Sequence, residues 1–321
     1  MRRKKIRKKY IKKQKKLIVL GSFVLFFFLA ACYATFSTNI NLSAKGNVYN
    51  KGNLCYTTSD NGDGTVTITD YDKACGSEVN IPSKIKGKTV TKIGDTAWNV
   101  SKVFNHKGLT KVVIPDTVTF IGDWAFWNNN ISSLDLGNGV QTINQGAFGT
   151  NNITSIYFPK SLKFLGYNAF YSNNLTSIPS LENIEYEAGA FSCNNLTGND
   201  VFVYSKNSDG VIDNTILNSY GGKWAYDITV PSSVKTIQRY AFRGTSANVL
   251  NLNNVETIEY KALFQLYIPT INISSSVKSI DAEAVYESPN IKYINIDRKE
   301  GSIEGARFGA SGATVNWTGN N

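Results

Sequence analysis

The chain has 321 residues, 18% of them charged, and a formal net charge of +10. That charge sits at one end: residues 1–16 hold eleven Lys and Arg and no acid, and the remaining 305 residues hold 23 basic against 24 acidic side chains. A nucleic-acid footprint needs a basic face on the folded domain itself, so that class of partner is set aside.

Behind the basic block, residues 17–36 form a run of 20 mostly apolar side chains. A run of ~20 apolar residues crosses the hydrocarbon core of a bilayer as a helix. Positive charge on one flank places the amino terminus in the cytoplasm and the rest of the chain outside. The same features describe a cleavable signal peptide. Leu29-Ala-Ala-Cys32 is also similar to a bacterial lipoprotein box, in which Cys32 would carry the lipid. Membrane anchor, lipoprotein and secreted protein all remain open, and each exports residues 45–321.

Residues 37–78 read as an exported linker and a β module. Gly64-Thr-Val-Thr-Ile-Thr69 alternates as a strand does, and Asp63-Gly64 before it is a tight-turn pair. A Ca²⁺ loop from Asp60, Asn61 and Asp63 lacks the alternate ligand spacing and distal Glu of an EF-hand, which favours a plain hairpin. Cys55 and Cys75 flank the strand, and an exported chain meets an oxidising compartment. They form either a disulfide or two buried thiols. A bridge over about 20 residues would stabilise by about 3 kcal/mol on the chain-entropy model. Cys193, beside an Ala-Phe pair, reads as a packed small residue.

From residue 79 the chain is periodic. The Ala-Phe pairs ending at Phe126, Phe148 and Phe170 stand 22 residues apart, and a fixed period of that size marks a solenoid whose units cannot bury a core alone. One half of each repeat is a strand, as in Leu109/Val112/Ile114, Ile131/Leu134/Leu136, Ile153/Ile156/Phe158 and Ile291/Ile294/Ile296. Its alternation leaves the residue between the last two apolar positions on the solvent face. Pro82, Pro115, Pro159, Pro179 and Pro231 follow strands and stop the ladder, since proline has no N–H to donate. The return half reads Val118-x-x-Ile121-Gly122-x-x-Ala125-Phe126. Here Gly122 is expected to permit a tight bend and Phe126 to fill the coil.

Asn pairs follow at 129–130, 151–152, 173–174 and 194–195. A side-chain amide offers donor and acceptor together, so one Asn of each pair should ladder from coil to coil. The pattern resembles the BspA-type leucine-rich repeat of bacterial surface proteins, over about residues 79–318. The match weakens at Lys261-Ala-Leu-Phe264 and Glu283-Ala-Val285, which lack the Gly and the Asn pair. Tyr33 to Gly46 resembles the membrane-exit segment of such proteins. The resemblance implies a surface adhesion or host-interaction role and brings no catalytic residue with it. The expected fold is a β-dominated α/β solenoid, a right-handed coil of about nine repeats of ~22 residues.

From Phe191 to Phe242 the anchor spacing is 51, which is 29 more than one repeat, and the surplus lies in residues 198–226. Such an insert either protrudes on the binding face or plugs the array and restarts its phase. The one histidine, His106, has no second ligand for a metal. No catalytic or phosphate-binding motif is present, and no cofactor is implied. The reading is a non-enzymatic surface protein that meets an extracellular protein or host matrix ligand through exposed strand positions, with Ser133, Asp135 and Tyr157 as candidates. The alternative is carbohydrate or cell-wall binding through Trp127, Tyr157, Tyr171 and Trp224. Nine strands ~4.8 Å apart would offer a row roughly 40 Å long, enough for a protein partner.

Overall fold

The computed structural model describes residues 54–96, 103–303 and 307–319. The apolar run at 17–36, Cys32 and the linker to residue 53 lie outside the described residues. Among the described residues no helix is long and apolar enough to cross a membrane.

Residues 55–321 form one compact unit, a β-solenoid of about 11 turns. Face strands make one side. Glu78–Asn80, Lys111–Val113 and Ser133–Asp135 pair in parallel. After the insert, Asp227–Thr229, Val249–Leu252, Thr270–Ile273, Tyr293–Ile296 and Thr314–Trp317 do the same. The return side is built from two-residue strands such as Phe120–Ile121, Thr142–Ile143 and Phe164–Leu165, also parallel. This return sheet begins in the leading hairpin, where Tyr56–Asp60 pairs antiparallel with Thr65–Tyr71, and Thr65–Tyr71 pairs in parallel with Lys88–Ile93.

Two expectations are corrected here. The fold holds almost no helix, only short 3-10 segments at Lys73–Cys75, Gly198–Val201 and Arg307–Gly309 among the described residues. The reason lies at the bend around each Phe anchor. The residue two before it and the residue two after it take left-handed backbone, as at Trp124 (φ 57°) and Asn128 (φ 54°), and at Asn168 (φ 56°) and Ser172 (φ 52°). Two left-handed residues within one turn break any right-handed helix. There are also more turns than nine, because coil-to-coil pairing runs through the leading hairpin and the insert.

The core is a column of rings. Phe104, Phe126, Phe148, Phe170 and Phe191 are fully buried, with successive centroids 4.7, 5.0, 5.5 and 6.1 Å apart and planes nearly parallel. Burying one such ring is worth about 1.5–3 kcal/mol. The first Asn of each pair closes the bend beside its ring. Asn173 accepts from Ile153 N (3.1 Å) and donates to Phe148 O (2.9 Å) and Phe170 O (3.2 Å), tying one coil to the one before it. Asn129, Asn151 and Asn194 repeat the pattern. Gly122 serves differently from expectation. Its φ is not left-handed, but a Cβ there would lie 2.4 Å from Asp95 O, so glycine is required by the close approach of the neighbouring coil.

The insert is a coil carrying a hairpin. Phe202–Lys206 pairs antiparallel with Ile212–Tyr220, whose Ile216 and Leu217 align with Thr236 and Ile237 of the next return strand. Leu217, Asn218, Ser219 and Tyr220 are buried, and the Tyr220 ring stacks on Phe242 at 5.2 Å, in the place of a Phe anchor. Its body therefore continues the array, while Val211 and Ile212 at the tip are exposed. The buried apolar core divides at this point into one cluster from Tyr56 to Val203 and another from Leu217 to Ala313.

Candidate interaction surfaces

On the first face sheet, register aligns Glu78, Lys111 and Ser133 in one outward row and Asn80, Val113 and Asp135 in the next. Alternation forces this, because Val79 and Val112 between them are buried. Tyr157 stands at the equivalent outward position one coil further on, 72% exposed. It borders a recess of about 440 Å³ with Pro159, Lys160, Lys163, Pro179 and Glu182. The surface is of mixed charge, with one aromatic and open space beside it.

The aromatic set does not assemble into a sugar platform. Tyr171 is only 9% exposed, contrary to expectation. Trp127 is half-buried, lies across Gly149 of the next coil and stacks on Tyr171 beyond it at 5.9 Å. A Cβ at Gly149 would fall 2.1 Å from Trp127 Cζ3, so that glycine is what lets the indole lie flat. The Arg243 guanidinium closes the stack, 4.1 Å from the Tyr171 ring and 5.3 Å from Phe264. Burial pushes the Tyr171 hydroxyl up to about 12. These rings bridge the two arrays across the insert. Trp224 is exposed on the second array, where it pairs with Ser246, and so is remote in sequence and in strand order from Tyr157.

A polar cleft of about 480 Å³ opens where the insert meets the return sheet, between Tyr167, Glu187, Lys206, Arg239 and Glu259. Lys206 Nζ donates to the carbonyls of Glu182 (2.7 Å) and Ile184 (3.0 Å), covering the end of the preceding coil. Burial raises the Glu187 carboxyl above the usual range, opposed by the Tyr167 N–H at 2.9 Å and by Arg239. Glu259 accepts from Arg239 N at 3.0 Å. These groups are engaged with the fold and with one another.

Cys55 and Cys75 are joined by a disulfide, with Cα atoms 5.9 Å apart. Asp63 and Asn61 are consumed by the hairpin, Asp63 accepting from Thr65 N at 2.9 Å and Asn61 from Thr67 Oγ1 at 2.7 Å. His106, in left-handed backbone, meets Asn128 Nδ2 at 2.6 Å.

The second face sheet carries a feature absent from the expectations. Asn251, Asn272, Asn295 and Asn316 share one outward register. Each Nδ2 donates to the preceding Oδ1, at 2.8 Å in all three steps. The signal is legible as Leu-Asn-Leu, Ile-Asn-Ile, Ile-Asn-Ile and Val-Asn-Trp.

Parallel face strands, a ring column and an asparagine ladder at each bend define a leucine-rich-repeat solenoid. The model of the BspA type leucine rich repeat region matches residues 100–208 and 218–315 in six copies, and the chain belongs to that family. No curated protein sequence matches it significantly. Among solved structures it is similar to a leucine-rich repeat protein from Bacteroides ovatus (23% identity, 82% of this chain and 70% of that one, TM-score 0.49). A second is from Eubacterium ventriosum (20% identity, 79% and 80%, TM-score 0.49). A third is a leucine rich cell surface protein from Faecalibacterium prausnitzii (18% identity, 83% and 94%, TM-score 0.38).

Proposed function

We propose that this chain is a non-enzymatic cell-surface adhesion protein, held at the membrane by residues 17–36, with its solenoid outside the cell. Its first face sheet receives an extracellular protein partner. The observation that carries this is the outward pair of rows on that sheet, Glu78, Lys111 and Ser133 beside Asn80, Val113 and Asp135, ending at Tyr157 and its recess. A largely solvated tyrosine with two χ angles gives contact area at low entropic cost, and the flanking charges of both signs supply orientation. The exported disulfide and family membership support the location.

Binding of the full-length chain to immobilised extracellular-matrix proteins tests the surface. Tyr157→Ala and Asp135→Ala are each expected to weaken it at least about fivefold, as central interface positions do; a matrix partner bound equally well by both variants would refute this placement. Palmitate labelling tests the anchor. Label that disappears in Cys32→Ala would replace the helix by a lipid.

A further inference from the structure

The two asparagine ladders differ in one respect that decides their roles. In the bends the amides are closed: Asn173 is fully buried and engages four backbone groups. On the second face sheet they are open. Asn272 spends one N–H on Asn251 and one lone pair on Asn295, and Asn295 does the same with Asn272 and Asn316. A primary amide has two N–H groups and two lone pairs, so each interior rung keeps one donor and one acceptor for the outside. The rungs are half-buried and held in line by the ladder, so their rotamers are already fixed before any ligand arrives.

These rungs floor a recess of about 400 Å³, walled by Thr229, Asn251, Asn272, Ser274, Asn295 and Asp297. Tyr293, two residues before Asn295 on the same face of its strand, stands 48% exposed at the other side of that rung from Asp297, outside the recess itself. The amide row is uncharged, and the one charged side chain in the lining, Asp297, disfavours an anionic segment. The face strands already use their backbone groups in parallel pairing on both sides, so a peptide strand finds no ladder to join. A row offering one donor and one acceptor every ~4.8 Å asks for a ligand that repeats both at a similar interval. Successive sugar rings of a linear neutral glycan do this with their hydroxyls. The exposed Tyr293 ring then offers an apolar surface to a sugar C–H face.

We propose that the recess on the second face sheet is a binding site for a linear neutral polysaccharide, laid across the strands along Asn251, Asn272 and Asn295 with Tyr293 as its stacking platform. This site is separate from the protein-binding rows around Tyr157.

The test is calorimetric titration of the full-length chain, in a sugar-free detergent, with neutral hexasaccharides of the β-1,4-glucan, β-1,4-N-acetylglucosamine, α-1,4-glucan and β-1,4-xylan series. At least one series is expected to bind. Asn272→Leu and Asn295→Leu are each expected to weaken it about tenfold, as loss of a shared hydrogen bond implies, and Tyr157→Ala should leave it unchanged. Because a ladder variant can perturb folding, Tyr293→Ala is measured alongside; it removes only a solvent-facing ring and should also weaken binding. Three outcomes would overturn the proposal: no binding in any series, binding that survives Asn272→Leu and Tyr293→Ala, or binding lost with Tyr157→Ala instead.

Discussion

Replacing Asn173 by Ala isolates the energetic role of the closed ladder. The substitution removes the acceptor of Ile153 N and the donor to Phe148 O and Phe170 O, all within a fully buried bend. Each buried group left without a partner costs about 1–3 kcal/mol. The lost amide also leaves a small void, since a packed bend relaxes only in part. Phe148 O and Phe170 O each keep a second amide donor, from Asn151 and Asn194, so the orphaned Ile153 N–H and the void together suggest about 2–3 kcal/mol, in the upper part of the range for point substitutions. In a linear array the loss falls on the interface between neighbouring coils, so unfolding should also lose cooperativity. Equilibrium urea unfolding of the full-length chain, followed by tryptophan fluorescence and far-ultraviolet circular dichroism, measures both. Asn272→Leu is the matched control: its neighbours Asn251 and Asn295 remain open to water, so its cost should stay below about 1 kcal/mol. Equal costs for the two variants, or a cost below about 1 kcal/mol for Asn173→Ala, would refute the distinction between closed and open ladders.

Three further outcomes are expected. Gly149→Ala should destabilise by about 1–3 kcal/mol through overpacking against Trp127, and the cost should shrink in a Trp127→Ala background; strict additivity in that double-mutant cycle would show that the indole does not demand the glycine. Reducing Cys55–Cys75, which closes a separation of 20 residues, should lower stability by about 3 kcal/mol, with an unchanged denaturation midpoint as the contrary result. Burial raises the Glu187 carboxyl, so its protonated form is favoured by the fold; that stabilisation is complete below the unfolded pKa and disappears as pH rises through the raised folded one. Glu187→Gln should accordingly raise Tm at pH 7 and flatten the pH dependence above the carboxylate range, and a lower Tm at pH 7 would contradict the assignment of burial as the dominant cause.

How much of this was legible in the sequence follows from what each residue type signals. The Phe column and the Asn of each bend were readable, because bulk and amide chemistry recur at fixed intervals and admit one explanation. The left-handed bends were not. Some fall on Gly146, Gly189 and Gly244, but others fall on Trp124, Thr150, Ser172, Cys193 and Tyr240, residues that carry none of glycine's permission for φ > 0, so neighbouring coils must impose the strain there. Gly122 misled in the opposite sense, since it, like Gly149 and Gly166, marks a close approach across coils that depends on the partner coil. For the same reason Trp127 and Tyr171 read as ligands: only stacking reveals that Gly149 lies between them. The insert was ambiguous because Tyr220 replaces Phe and a strand replaces the bend, hiding a coil within what looks like surplus.

The interaction surface is legible only by subtraction, and the two arrays yield to it differently. In the first, removing every position that the ring column and the bend ladder require leaves Ser133, Tyr157 and Asp135, the last of which also accepts from Gly137 N at 2.9 Å in its own turn. In the second, the same subtraction leaves a row that the fold uses halfway. Asn251, Asn272, Asn295 and Asn316 bond to one another, yet sheet pairing alone would hold those strands in register, as it does at Val113 and Asp135 with no such ladder. A polar row whose structural work is dispensable, but which fixes four amides in line with capacity to spare, is organised for something outside the chain.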